Sequence, residues 1–270
     1  MERMSAITSI STSDLIEMKR RREKIACLTA YDASFARLAD AAGVDILLVG
    51  DSLGMVVQGH DSTLGVRLND MIYHAQLVRR GVTRSLVVVD MPFMSYATPY
   101  QALGNAGRLL GESGAQVVKL EGGAWLVAAV ELLGARGIPV CGHLGLLPQS
   151  INKLGGYRVQ GRDPEDAEMI RRDAQALESA GVAMLVLECV PSPLAAEISA
   201  SVTIPVIGIG AGPGCDGQVL VVYDMLGISE RLPRFAKNFL AGRAGIEEAF
   251  RDYAGAVKRG EFPGAEHGFE

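Results

Sequence analysis

No C-x-x-C pair joins the four cysteines, Cys27, Cys141, Cys189 and Cys215. That removes the usual zinc and dithiol redox signatures. Cys141 and Cys189 lie in or beside apolar runs and read as small core residues, and scattered thiols fit a reducing compartment. His60, His74 and His267 share no spacing, which argues against a histidine metal site. No stretch approaches the ~20 uninterrupted apolar residues of a membrane helix. The first residues lack an apolar leader with a small-residue cleavage site. A soluble, cytoplasmic protein is expected. Positive charge is sparse too: the net charge is −5, and the one basic run, Lys19-Arg20-Arg21-Arg22, stops at Glu23. It reads as a solvated helix end, and nucleic-acid binding is not expected.

Apolar, β-rich runs are plentiful. They are IACLTAY (25–31), DILLVGD (45–51), SLVVVDM (85–91), QVVKLEG (116–122), IPVCGHL (138–144), AMLVLECV (183–190), IPVIGIG (204–210) and QVLVVYDML (218–226). Near-continuous Val, Ile and Leu is the mark of parallel strands buried on both faces. Helix punctuation lies between them. Asp32 caps a helix carrying Phe35, Leu38, Ala39 and Ala42, which Gly43 ends. Thr98-Pro99-Tyr100-Gln101 has the capping-box pattern with proline at the first helical position, and its helix stops near Gly114. Asp163-Pro164-Glu165 opens a third helix, with Ala167, Ile170, Ala174 and Leu177 on one face and Gly181 after it. Eight strand–helix units within 270 residues, with no linker, predict an α/β chain folded as one (β/α)₈ TIM barrel over residues 1–270, with an N-terminal helical extension. Residues 54–68 and 145–162 are long for βα loops. Both follow strands, so both should lie at the C-terminal mouth, where barrel active sites form.

Four acids end predicted strands: Asp51, Asp90, Glu121 and Glu188. Around one mouth they repel each other and are desolvated unless a cation or proton compensates. A hard divalent cation such as magnesium, held by oxygens, is the natural solution. The alternative is that each acid separately caps a helix or pairs with a nearby base. Lys119 stands two residues before Glu121, on the same side of the strand. It reads as a cation for a substrate carboxylate or carbonyl; an ion pair or a Schiff-base lysine are the other readings. His143 ends the fifth run and reads as a hydrogen-bond partner of substrate, or as a satisfied core histidine. Gly208-Ile209-Gly210-Ala211-Gly212 fails the dinucleotide fingerprint because Pro213 follows.

At these residues the chain resembles the ketopantoate hydroxymethyltransferases. The resemblance runs through LTAYD (28–32), VGDSLGMVVQGHDST (49–63), DMPFMSYATP (90–99), VVKLEGG (117–123), PVCGHLGLLPQS (139–150), GGYRVQGR (155–162), LVLECVP (185–191), IPVIGIGAG (204–212), FAKNF (235–239) and PGAEHGF (263–269). It implies a barrel of the phosphoenolpyruvate/pyruvate type and magnesium ligands at Asp51, Asp90 and Glu121. It implies oxo-acid contacts at Asp51, Ser52, Asp90 and Lys119, beside the His143 already noted, and a proton acceptor at Glu188 whose task favours a raised pKa. The implied reaction is attack of the enolate of 3-methyl-2-oxobutanoate on the one-carbon unit of 5,10-methylenetetrahydrofolate. Hydrolysis then gives 2-dehydropantoate for pantothenate synthesis. The implied partners are a 2-oxo acid, a folate and further copies of the chain, as a homodecamer. Two other classes stand beside this reading: a magnesium-dependent 2-oxo-acid lyase or mutase of the isocitrate lyase type, and a catalytically silent barrel that only binds. Consumption of methylenetetrahydrofolate separates the first, and indifference to loss of the acids marks the second.

Overall fold

The computed structural model describes residues 9–270. The part of the expected N-terminal extension that falls on residues 1–8 lies outside them.

Eight strands, β1 (Ile25–Thr29), β2 (Ile46–Val49), β3 (Leu86–Asp90), β4 (Val117–Glu121), β5 (Val140–Gly145), β6 (Met184–Glu188), β7 (Val206–Ile209) and β8 (Gly217–Leu220), close in sequence order into one parallel barrel. The seam pairs Ile25 of β1 with Gly217 of β8. The strand positions were legible because every strand is buried on both faces and therefore apolar throughout. Alternate residues divide between two cores. Ile25, Cys27, Ile46, Leu48, Leu86, Val88, Val117, Cys141, Met184, Val186, Ile207, Ile209 and Val219 form the inner cluster. Leu28, Leu47, Val49, Val87, Val89, Val118, Leu120 and Leu185 belong to the outer cluster under the helices.

The helices are α1 (Thr12–Arg20), α2 (Ala33–Ala41), α3 (Leu53–Val56), α4 (Leu68–Gly81), α5 (Pro99–Ser113), α6 (Val127–Gly134), α7 (Ile151–Leu154), α8 (Pro164–Ala180), α9 (Ser192–Ser201), α10 (Val222–Met225) and α11 (Ile246–Lys258). The expected caps are present. Asp32 accepts from the backbone N–H groups of Ser34 and Phe35, and Asp163 from those of Glu165 and Asp166. Thr98 accepts from Gln101 N–H. The Gln101 amide oxygen takes the N–H of Ala97, one residue earlier than a capping box would have it. Gly114 and Gly181 end their helices at φ +76° and +98°, the left-handed region that favours glycine. Among the described residues no helix is long and apolar enough to cross a membrane.

Three expectations need correction. First, Lys19 is not part of a solvated helix end. Leu15 of α1 is fully buried in the inner cluster, and Lys19 Nζ reaches Asp216 Oδ2 at 2.8 Å and the carbonyls of Ser199 and Ile204 at 2.7 and 2.8 Å. Helix α1 therefore stoppers the N-terminal end of the barrel. Second, the eighth run is not one strand. It leaves the sheet after Leu220 and turns into α10 at Val222. Third, the seventh unit has no helix. Residues 210–216 connect β7 directly to β8, with Gly210 and Gly212 at φ +61° and +76° making the turns. That segment has no apolar periodicity from which a helix could form. The two long loops carry short helices, α3 in the first and α7 in the second.

Candidate active site

The C-terminal mouth of the barrel opens into a cavity of about 1270 Å³. Inward parity delivers its floor. On β3 the inward series Leu86, Val88 ends at Asp90. On β4 it runs Val117, Lys119, Glu121; on β5 Cys141, His143; on β6 Met184, Val186, Glu188. Register then decides who meets whom. Asp90 is paired with Lys119 across β3–β4, and Glu121 with His143 across β4–β5. Asp51 follows β2 by two residues and enters from the turn. Gly50 makes room for it: a Cβ there would stand 2.7 Å from Ser52 Oγ and 3.7 Å from Asp90 Oδ2. The Asp51 N–H donates to Asp90 Oδ2 at 3.0 Å.

Every residue expected at the site lines this cavity: Asp51, Ser52, Asp90, Lys119, Glu121, His143 and Glu188. Asp51, Asp90, Lys119, Glu121 and His143 are each at most 4% exposed, so their charges interact with little help from water. Lys119 Nζ lies 3.0 Å from Asp90 Oδ1, 3.9 Å from Glu121 Oε1 and 3.2 Å from His143 Nδ1. His143 Nε2 lies 3.3 Å from Glu188 Oε2. Glu188, with 15% of its side chain exposed, is the most accessible of the four acids. Ser52 Oγ shares a 2.8 Å hydrogen bond with the Tyr31 hydroxyl.

One ammonium serves three buried carboxylates. Burial, then the charges of Asp90 and Glu121, push the Asp51 carboxyl well above the usual carboxylate range. Burial also raises Asp90, against the pull of Lys119. Burial works on Glu121 in the same direction, but His143, Lys119 and the N–H of Gln149 outweigh it and hold this acid below its ordinary value. Lys119 is disfavoured as a cation by burial, yet Asp90, Glu121 and Asp51 together keep it charged. For His143, burial and the Lys119 charge oppose protonation, while Glu121 and Glu188 favour it and prevail. The sequence thus foretold the cluster. The structure adds that Glu121 differs from Asp51 and Asp90 in the sense of its shift.

The donor set fits a magnesium ion. Asp51 and Asp90 are hard oxygen donors that burial has stripped of water, which raises their proton affinity and suits them to a cation in place of the lost solvation. Asp90 Oδ1 is buried and has no aligned hydrogen-bond partner despite its nearness to Lys119. His143 Nε2 likewise has no aligned hydrogen bond, and its charged neighbour is Glu188 Oε2 at 3.3 Å. Among the described residues no three His, Cys, Asp or Glu side chains stand in a ready-made coordination sphere. Glu121 Oε2 accepts the Gln149 N–H at 3.0 Å, so one of its oxygens is already engaged.

Two buried residues behind the floor are not singled out by the sequence. Gln149, 5% exposed, donates from its amide to Asp51 Oδ2 at 2.9 Å. Tyr96 donates its hydroxyl to the Gln149 amide oxygen at 2.5 Å. Their only signal was membership of the motifs PVCGHLGLLPQS (139–150) and DMPFMSYATP (90–99). A glutamine in a loop otherwise reads as a surface residue.

The chain matches the family model for ketopantoate hydroxymethyltransferase over residues 9–265. It is 57% identical over 262 residues to the 3-methyl-2-oxobutanoate hydroxymethyltransferase of Halorhodospira halophila, covering 97% of this chain and 95% of that one. It is 59% identical over 255 residues to the enzyme of the same name from Nitrosococcus oceani, covering 94% and 97%. A solved 2,3-dimethylmalate lyase of the PEP mutase/isocitrate lyase superfamily superposes with a TM-score of 0.58 over 80% of this chain and 82% of its own, at 20% identity. With the lyase the chain shares a barrel; with the hydroxymethyltransferases it is similar in sequence over nearly its whole length. The chain belongs to the ketopantoate hydroxymethyltransferase family.

Proposed function

We propose that this chain transfers a hydroxymethyl group to 3-methyl-2-oxobutanoate, giving 2-dehydropantoate in pantothenate synthesis, with 5,10-methylenetetrahydrofolate as donor and magnesium as cofactor. The observation that carries the reading is the buried set Asp51, Asp90, Lys119, Glu121 and His143 on the floor of one cavity, with Glu188 beside it at 3.3 Å from His143. Asp51, Asp90 and Glu121 would hold the ion, with one Glu121 oxygen also accepting the Gln149 N–H. Magnesium, when bound, draws electron density from the carboxylate and 2-oxo oxygens of the oxo acid and so acidifies its C3–H.

Glu188 removes that proton. The C3–H electron pair moves into the C2–C3 bond, and negative charge develops on the 2-oxo oxygen. Lys119 supplies a fixed positive charge at this mouth, in a setting too dry to screen it. His143 steadies the Glu188 carboxylate through Nε2. Ser52, held by Tyr31, presents a hydroxyl to the substrate carboxylate. C3 then forms its new bond to the donor's methylene carbon, whose two bonds to the folate nitrogens break. Water supplies the hydroxyl oxygen and one proton, the C3 proton held by Glu188 supplies the other, and the folate leaves as tetrahydrofolate with both nitrogens protonated. The cavity, at about 1270 Å³, has room for a folate above a small oxo acid. We read the chain as one catalytic domain that works in the cytoplasm as a homodecamer.

The test separates proton removal from transfer. With magnesium and 3-methyl-2-oxobutanoate in D₂O, the protein should exchange the C3 proton by NMR without folate. It should release tetrahydrofolate only when methylenetetrahydrofolate is added. Glu188→Gln should lower exchange by about 10²–10⁴-fold. Full exchange in that variant would remove Glu188 from its role. Exchange without any folate consumption would return the lyase reading, and no exchange at all would favour a silent barrel.

A further inference from the structure

We propose that Gln149, backed by Tyr96, is a positioning residue that sets the orientation of Asp51 and Glu121 and thereby the affinity of the site for its cation. The proposal rests on the magnesium reading given above.

Gln149 reaches the site from a 3-10 turn, Pro148–Ser150, in the loop after β5. Asp51 follows β2, three strands away around the barrel. The amide orientation is fixed by its neighbours. Gln149 Nε2 lies 2.9 Å from Asp51 Oδ2 and 2.9 Å from the carbonyl oxygen of Met91. A carbonyl oxygen only accepts, so this end of the side chain is the NH₂, and both its hydrogens are used. The other end, Oε1, accepts from the Tyr96 hydroxyl. The Gln149 backbone N–H goes to Glu121 Oε2. The Tyr96 hydroxyl in turn lies 3.3 Å from the Glu121 N–H, which donates to it, and its ring stacks on Trp125 at 6.0 Å. One residue therefore grips two of the three carboxylates, and both of its contacts to them are buried.

The choice of glutamine follows from the charge balance. Asp51 needs a donor to one oxygen, because an unmet buried carboxylate oxygen is costly. A lysine or arginine there would meet it with a second positive charge and compete with the cation. A glutamate would add a fourth negative charge and remove both donors. A neutral amide supplies two N–H groups and no charge. Fixing Oδ2 also fixes the direction of the other oxygen of Asp51, since a carboxylate is planar. Partners one bond behind metal ligands act in this way, and their loss commonly weakens metal binding or activity by about 10–100-fold.

The experiment is a calorimetric titration of magnesium chloride into the parent protein, Gln149→Leu and Tyr96→Phe, each with 3-methyl-2-oxobutanoate present. Steady-state kcat and KM and a thermal melt accompany each titration. Gln149→Leu should bind magnesium about 10–100-fold more weakly. Its kcat should fall while KM for the folate donor stays within about twofold, a split that generalised loosening would not give. Tyr96→Phe keeps the ring stack and removes the hydroxyl that donates to Gln149 Oε1 and accepts from the Glu121 N–H, so its affinity should fall about fivefold. Magnesium affinity within twofold of the parent in folded Gln149→Leu overturns the proposal while leaving the metal reading intact. Should that variant not fold, unchanged affinity in Tyr96→Phe overturns it equally. A parent protein that binds no magnesium overturns the metal reading and this proposal with it.

Discussion

Asp90 and Lys119 are register partners on β3 and β4, and their charges meet at 3.0 Å with both side chains 4% exposed. Lys119 also stands 3.9 Å from Glu121, so it is the counter-charge for more than one acid. Removing it leaves buried negative charge without compensation. Lys119→Met is expected to cost about 3–5 kcal/mol of stability at neutral pH. Bound magnesium should restore part of that loss, since a ligand of the folded state stabilises it. Urea melts of the parent and variant, with and without magnesium chloride, check this. Equal midpoints for parent and variant would show that the ammonium is not needed for charge balance.

A second carboxylate answers to pH, far from the mouth. Asp40 on α2 accepts from the N–H groups of Thr83 and Ser85 at 3.0 and 2.7 Å and from both of their hydroxyls at 2.7 Å. Partial burial works against ionisation, but these bonds outweigh it and bring the pKa to about 2 from the reference of 3.8. A depressed folded-state value means stability that is present above the unfolded pKa and lost as pH falls toward 2. With solvent screening, the contribution is about 1 kcal/mol. The stability difference between the parent and Asp40→Asn should therefore be constant from pH 7 to about 5 and shrink as pH falls through 4 and 3. Denaturant melts across that range measure it, and a difference that grows toward acid would contradict the assignment.

Leu15 tests the division of labour between the barrel's two ends. It is fully buried at the N-terminal end, in the inner cluster, while the acids lie at the other. Leu15→Ala should cost about 2–5 kcal/mol. The kcat of the folded variant should match the parent, because conservation of chemistry depends on the C-terminal face. A large kcat loss at unchanged folded fraction would couple the two ends.

Much of this site was legible because side-chain parity is a sequence property. Lys119 and Glu121 had to share a side of β4, and apolar runs marked where each strand ended in an acid. The helix caps at Asp32, Thr98 and Asp163 were legible because capping is local. Register is not local. Nothing in the sequence pairs Asp90 with Lys119 or Glu121 with His143. Nor does any spacing bring Gln149 across to Asp51, 98 residues away. The eighth run misled because Val222 and Met225 are as apolar in a short helix as in a strand. Lys19 misled because its partners, Asp216 and the carbonyls of Ser199 and Ile204, arrive from the far end of the chain.

The seam between β1 and β8 has a consequence in time. Ile25 waits for Gly217, and Tyr253 of α11 closes over the seam by donating its hydroxyl to the carbonyl of Cys27, 226 residues earlier. On a ribosome, the interval between emergence of residues 25 and 217 is roughly 10–40 s. Throughout it β1 has one open edge, made of IACLT, an apolar segment able to pair with a foreign strand. Newborn chains of this protein should therefore need shielding by a chaperone throughout that interval, until β8 emerges, and truncations that remove β8 should aggregate through that edge.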